Sequence, residues 1–448
     1  MLQKKFVTLR EGSPEEAGFR TGELQWAKRL LEEGVREGIF PGAVALVSRR
    51  GIIAGWWAVG HSRVEPQERP MTRNTLFDIA SLTKVVATTS AFLLLWQRGR
   101  VSLDDPVASF FPRFARGGYA PVGKDKVTVR HLLTHTSGLP GWRPLYLEHR
   151  GRQEVIEAIS DTDLLFSPGS RVEYSDLGFI LLGEILREIA GEGLASLLQR
   201  EVFVPLTMLD TGFLPLSWLN PAGESPAVTP KESGRRGGAK RAEKGKNCPA
   251  PGSEKTSAAG MTESARPIAA TERGNEVEKR MCGAQAARFL GWRDYILEGE
   301  VNDGNAHYGL GGISGHAGLF STARDLAVLG QSYLNGGGYG ENQVFSPLVL
   351  QAAVQNQTEY LGQNRALGWH LSTPLTRALN ESYPSSGGEL LSPQAIGHTG
   401  FTGTSLWIDP GYQLVITLLT NRLHPVAREG IVPFRARFHN AVLGALED

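Results

Sequence analysis

The stretch Asp78-Ile79-Ala80-Ser81-Leu82-Thr83-Lys84 runs into Val85-Val86-Ala87 and then Ala91-Phe92-Leu93-Leu94-Leu95-Trp96, apolar on almost every side up to Arg98. That pattern predicts a helix buried in the middle of a sizeable domain. Ser81 and Lys84, if they lie in its first turn, stand at i and i+3, which puts their Cβ atoms about 5–6 Å apart on one face. A serine hydroxyl needs a base beside it to become a nucleophile, and a partly desolvated lysine can be that base. The same turn offers backbone N–H groups and the positive end of a helix dipole to a developing oxyanion. Ser-x-x-Lys alone is a common coincidence, and an N-cap serine beside a surface lysine has the same spelling.

At 448 residues the chain has room for a substantial core without staples. Its net charge of +1 argues against nucleic acid or membrane surfaces as partners. Cys248 and Cys282 lie in or beside the least globular stretch and read as free thiols, and they have no metal-binding spacing. The opening Met1-Leu2-Gln3-Lys4-Lys5-Phe6 has no apolar leader, and Val85 to Gln97 is too short to span a bilayer. The expectation is a cytoplasmic protein with no membrane span.

Residues 14–37 carry a helical pattern with Ser13 as N-cap, and 42–48 with 52–60 read as two strands of a hairpin. His131 and His135 are i, i+4 on an expected helix, but no Glu follows His131 as a metalloprotease pair requires, so packing and capping roles are expected. A Pro-Gly turn leads into Tyr174-Ser175-Asp176 ahead of the helix at 177–190. From 220 to 281 large apolar residues nearly vanish, and a disordered or loosely held insert is expected. The glycine-rich run 308–322 lacks the Lys-Ser/Thr ending of a phosphate loop. Helices follow at 323–334 and 347–354, strands near 367–371, 395–399, 404–408 and 413–420, and a closing helix at 432–446. Strands at both ends with helices between predict one sheet assembled from the two termini and a helical second lobe.

Three boxes then stand in order: Ser81-Leu82-Thr83-Lys84, Tyr174-Ser175-Asp176 and His398-Thr399-Gly400. With His131-Leu132-Leu133-Thr134-His135 and Gly315-His316-Ala317-Gly318-Leu319-Phe320, they resemble the serine hydrolases of the class C β-lactamase and penicillin-binding-protein superfamily. The resemblance implies a β-lactamase/transpeptidase-like fold, α/β of the α+β type, with an antiparallel sheet from N- and C-terminal segments flanked by helices. Residues 1–80 would open the α/β domain, 81–219 form the helical lobe, 220–281 the insert, and 282–448 the remainder with the third box.

It also implies that Ser81 attacks a carbonyl to form an acyl-enzyme, that Lys84 and Tyr174 share the proton work, and that the N–H groups of Ser81 and Phe401 form the oxyanion hole. No metal or organic cofactor is implied. The third box departs from the family pattern, with His398 where β-lactamases and carboxypeptidases carry a lysine that holds a substrate carboxylate. A histidine near its reference pKa of about 6.5 is mostly neutral at pH 7. An esterase on small carboxylic esters is therefore the leading expectation. A D,D-carboxypeptidase, amidase or β-lactamase is the alternative, and a non-catalytic sensor of penicillins or muropeptides is the reading from another class. Asp176 replaces asparagine in the second box, and its charge would favour the ammonium form of Lys84 and leave Tyr174 as the better base.

Overall fold

The computed structural model describes residues 5–118, 123–214, 267–372 and 386–447. Its main sheet contains β1 (Arg10–Glu11), β2 (Gly42–Arg49), β3 (Ile52–Arg63), β4 (His370–Leu371), β5 (Ile396–Thr399), β6 (Ser405–Asp409) and β7 (Leu414–Thr420). These run in the order β1–β3–β2–β7–β6–β5–β4, with Arg69–Pro70 paired to β3. β1 joins β3 in parallel, and the other neighbours are antiparallel. The junction of the two chain ends is the β2–β7 pair, where Ala45 faces Leu418 and Val47 faces Ile416.

Alternation along β2 sends Ala43, Ala45 and Val47 to one core and Val44 and Leu46 to the other. The first core is closed by α1 (Gln25–Arg36) and the terminal α5 (Ile431–Gly444), through Leu31, Phe434 and Phe438. The second is larger. It holds α2 (Ser90–Gln97), α3 (Asp176–Ala190) and α4 (Ala323–Leu334), and every residue from Val85 to Leu95 is buried. Among the described residues no helix is long and apolar enough to cross a membrane.

Three expectations are corrected here. The first helix begins at Gln25, not at residue 14, because left-handed turns at Gly18 (φ 78°) and Gly22 (φ 76°) intervene; Ser13 Oγ accepts from Glu16 N (3.2 Å) in a local turn. The central helix is irregular: a 3-10 turn at Ala80–Leu82, a wide π turn at Lys84–Thr89, then α2. Thr89 Oγ1 donates to Lys84 O (2.9 Å), one of the side-chain insertions that hold such a turn open.

The third correction concerns the insert. Residues 267–281 are ordered, with Ile268 bridged to Leu76, Ala269 and Ala270 buried, and a helix at Glu276–Cys282. Beside these alanines the stretch buries polar groups. Glu272 accepts from Asn302 Nδ2 (2.9 Å), Glu278 from Gly304 N (2.7 Å) and the Tyr146 hydroxyl (2.6 Å), and Asn275 from Arg293 Nε (3.0 Å). A composition reading scores such residues as solvated, while hydrogen bonding lets them fold inward. Cys282 carries a free, buried thiol, whereas Cys248 and residues 220–266 lie outside the described residues.

Candidate active site

Ser81 sits on the 3-10 turn that follows the short strand Phe77–Asp78. The turn is tight, with Ala80 at φ 47°, and Asp78 Oδ1 accepts from Ala80 N (2.9 Å) to hold it. Lys84 is fully buried. Its Nζ donates to Ser81 Oγ (3.1 Å) and to the His316 carbonyl (3.0 Å), and lies 2.7 Å from Asp176 Oδ1. The His316 carbonyl reaches it because Gly315 packs directly on Gly183 of α3; a Cβ on Gly315 would stand 2.8 Å from Gly183 Cα and 2.2 Å from Phe179 O.

Tyr174 and Asp176 enter from the N-terminus of α3. Ser175 caps this helix, its Oγ accepting from Gly178 N (3.1 Å), which leaves Asp176 in the first turn at the positive end of the dipole. Lys84 Nζ lies 4.9 Å from the centre of the Tyr174 ring, and the Tyr174 hydroxyl is buried beside Ser81 and Lys84. Burial works against the Lys84 charge, but Asp176 and Tyr174 outweigh it and hold the pKa above the ordinary lysine value. Burial raises the Tyr174 phenol as well, with Lys84 pulling back. The resting site therefore holds an ammonium and a phenol.

Asp303 and His316 complete this cluster. The His316 ring spans Asp303 Oδ1 (2.9 Å) and Ser314 Oγ (2.7 Å). Ligand atoms of Asp176, Asp303 and His316 lie within 4.8 Å of one another, a set of the kind that holds a metal, but the charge seated against Asp176 is the Lys84 ammonium. Neither Asp303 nor His316 was legible as a site residue; the only signal was the glycine-flanked histidine in the 315–320 stretch.

The third box lies across from Ser81 on β5 and the turn that follows it. Thr402 Oγ1 donates to Asp78 O (2.8 Å) and Thr404 Oγ1 to Ile79 O (3.1 Å), so this turn is bolted to the one carrying Ser81. Gly400 packs against Ile79, where a Cβ would stand 2.4 Å from the carbonyl oxygen. Arg435 of α5 donates to Gly400 O (2.9 Å) and Thr404 O (2.8 Å) and fixes the turn from behind. Phe401 is 44% exposed at the mouth, its carbonyl held by Arg422 Nε (2.9 Å). The backbones of Ser81 and Phe401 thus belong to two turns locked together, and Thr399 ends β5 ahead of the second of them.

His398 is 1% exposed, and its Nδ1 donates to Thr399 O (2.8 Å), which leaves Nε2 as an acceptor. Burial, reinforced by Lys84 and Arg365, drives its pKa well below the usual histidine value, so the ring is neutral. A cation is nevertheless close by. Arg365 Nη1 donates to His370 Nε2 (2.8 Å), its guanidinium carbon stands 5.7 Å from the Tyr174 ring centre, and the His370 ring is 5.1 Å from that of His398. Arg365 lies in no motif, and only tertiary structure brings it here.

His131 and His135 do not share a helix. His131 forms a capping box with Thr128, whose N–H donates to His131 Nδ1 (3.1 Å), whereas His135 lies beyond the helix end at Leu133 with φ 57°. The His135 ring packs at a tilt against Tyr174 (4.5 Å between centres), and its Nδ1 accepts from Ser175 N (3.0 Å). It is a buried support for the phenol.

Because Asp176 raises the Lys84 pKa, Asp176→Asn is expected to lower it. If the ammonium is the working form, the alkaline limb of kcat/KM moves to lower pH. A shifted acid limb with a gain at neutral pH would make the Lys84 amine the base, and a profile identical to wild type would remove Asp176 from the proton balance altogether.

A family model described as "Beta-lactamase" matches residues 27–440. The chain belongs to the β-lactamase family. It is a serine hydrolase with the α/β β-lactamase/transpeptidase fold. Among this family's curated members it is 31% identical over 439 residues to a protein of Escherichia coli (strain K12) named "Putative D-alanyl-D-alanine carboxypeptidase", covering 94% of this chain and 88% of the relative. It is 32% identical over 424 residues to the "N-acetylmuramyl-L-alanine amidase" of Bacillus subtilis (strain 168), covering 92% and 83%. Among solved structures of this fold, "EstCE1, a hydrolase with promiscuous acyltransferase activity" superposes with a TM-score of 0.63 at 21% identity, covering 94% of this chain and 99% of that one.

Proposed function

We propose that this β-lactamase-family hydrolase cleaves an amide or peptide bond whose leaving side carries a carboxylate, with D-amino-acid cell-wall peptides as the favoured class, through an acyl-enzyme on Ser81. Ser81 Oγ attacks the carbonyl, and the oxyanion falls to the N–H groups of Ser81 and Phe401. Tyr174 takes the Ser81 proton as it passes its own to the leaving nitrogen, and the Lys84 ammonium stabilises the charge that develops between them. Water then releases the acyl group. Thr399 and the neutral His398 line the leaving side.

The observation that carries this reading is Arg365. The ester expectation rested on the loss of a cation when His398 replaced lysine. His398 is indeed neutral, but a guanidinium stands beside Tyr174 and His370 at the same end of the site. Guanidinium pairs with carboxylate through parallel hydrogen bonds. The Escherichia coli relative is named for a D-alanyl-D-alanine substrate and the Bacillus subtilis relative for an N-acetylmuramyl-L-alanine amide, and both names support an amide substrate. The ester reading keeps one supporting observation, the uncharged His398, which makes no demand for a carboxylate.

Arg365→Ala separates the two. Losing a charge-assisted contact of about 1.5–3 kcal/mol should raise KM for a peptide ending in D-Ala-D-Ala about 10- to 100-fold, with little change on p-nitrophenyl butyrate. Equal kinetics on both substrates, or an ester kcat/KM far above that of any peptide, would favour the esterase.

A further inference from the structure

We infer that Asp78, which no catalytic box contains, is a positioning residue that keeps the Ser81 turn, the Asn302–Asp303 segment and the third-box turn in one register. This rests on the Ser81 acyl-enzyme reading. Each oxygen of Asp78 serves a different segment. Oδ1 accepts from Ala80 N (2.9 Å), the strained residue immediately before the nucleophile. Oδ2 accepts from Asn302 N (2.7 Å), and the next residue, Asp303, holds the ring of His316, whose backbone carbonyl accepts from Lys84. The backbone oxygen accepts from Thr402 Oγ1 (2.8 Å) in the turn that carries Phe401. Nucleophile, lysine and oxyanion turn thus meet at one buried residue, 2% exposed.

A left-handed alanine is strained and persists only where its surroundings over-determine it. Here the carboxylate on Ala80 N–H does so. Both N–H groups donate to a charged acceptor, the stronger kind of hydrogen bond. Burial, opposed by these two N–H groups, raises the Asp78 carboxyl to about 6; Asp303 pushes it up further and Arg293 pulls it down. Glu272 reaches the same Asn302 through its side-chain amide (2.9 Å). On the third-box side, Arg422 and Arg435 are bonded to the carbonyls of Phe401, Gly400 and Thr404. Lys84 lies beyond the Ser81 turn. Protonation of Asp78 weakens both grips, so the catalytic step should decline as pH falls through about 6.

The test is acylation of Ser81 by p-nitrophenyl butyrate and by a penicillin between pH 5 and 8, read by intact mass and by steady-state kinetics. Asp78→Asn keeps an acceptor for Ala80 but turns an NH₂ toward Asn302 N–H. It should lower kcat about 100-fold, the scale of a 1 Å misplacement, with KM changed less than about threefold. The acid limb near pH 6 should disappear. Thr402→Val, which removes one grip and keeps the carboxylate, should cost about 10-fold and retain the limb, so the inference stays testable if Asp78→Asn does not fold. Wild-type kinetics in both variants, or a limb near pH 6 that survives in Asp78→Asn, would overturn the positioning role while Ser81 still acylates. A wild-type Ser81 that never acylates would overturn the nucleophile reading and this inference with it.

Discussion

Ser81→Ala is expected to lower kcat/KM by about 10⁵-fold on peptide and ester substrates alike, because loss of a nucleophile that acts as a unit with its partners removes nearly all of their catalysis. Ser81 Oγ receives Lys84 Nζ (3.1 Å), lies beside the Tyr174 hydroxyl, and is carried by a turn fixed by Asp78 and Thr404. Substrate binding should survive, since Arg365, His398 and Thr399 are untouched. Initial rates over a range of enzyme concentrations check this. A variant retaining a tenth of wild-type activity would move the nucleophile elsewhere.

Lys84→Met is expected to lower kcat about 10³-fold with KM nearly unchanged, within the range seen when a positioned charge or acid–base group is removed. The substitution fills the buried space but leaves Asp176 without its cation, and the His316 carbonyl and Ser81 Oγ lose their donor. Removing the positive neighbour that lowers the Tyr174 phenol should also push the phenol further up. Pre-steady-state rates should therefore place the loss in acylation. If deacylation alone slowed, Lys84 would be activating the water and not the serine.

Much of this site was legible because its parts are local in sequence. The Ser81–Lys84 spacing is an i, i+3 pair, the hairpin of β2 and β3 shows its period directly, and a Pro-Gly turn marks the approach to Tyr174 and α3. What escaped notice acts across the chain. Arg365, Asp303, His316 and Arg435 reach the site through neighbours 13 to 232 positions away, with no periodicity to mark them. The 267–281 stretch was misread for a related reason. Its buried Glu272, Asn275 and Glu278 are satisfied by partners from 302, 293 and 304, and composition cannot show hydrogen bonds. His398 shows both sides: its neutrality was expected from its chemistry, but the step from a weakened carboxylate anchor to an ester substrate depended on residues that only folding brings near.

The central claim, an acyl-enzyme on Ser81, is tested most directly by intact-protein mass after brief exposure to a penicillin or p-nitrophenyl butyrate, followed by peptide mapping. The account predicts one acyl adduct, mapped to the peptide containing Ser81-Leu82-Thr83-Lys84 and absent from Ser81→Ala. Turnover with no adduct at any time point on wild type, or an adduct that persists in Ser81→Ala, would contradict it.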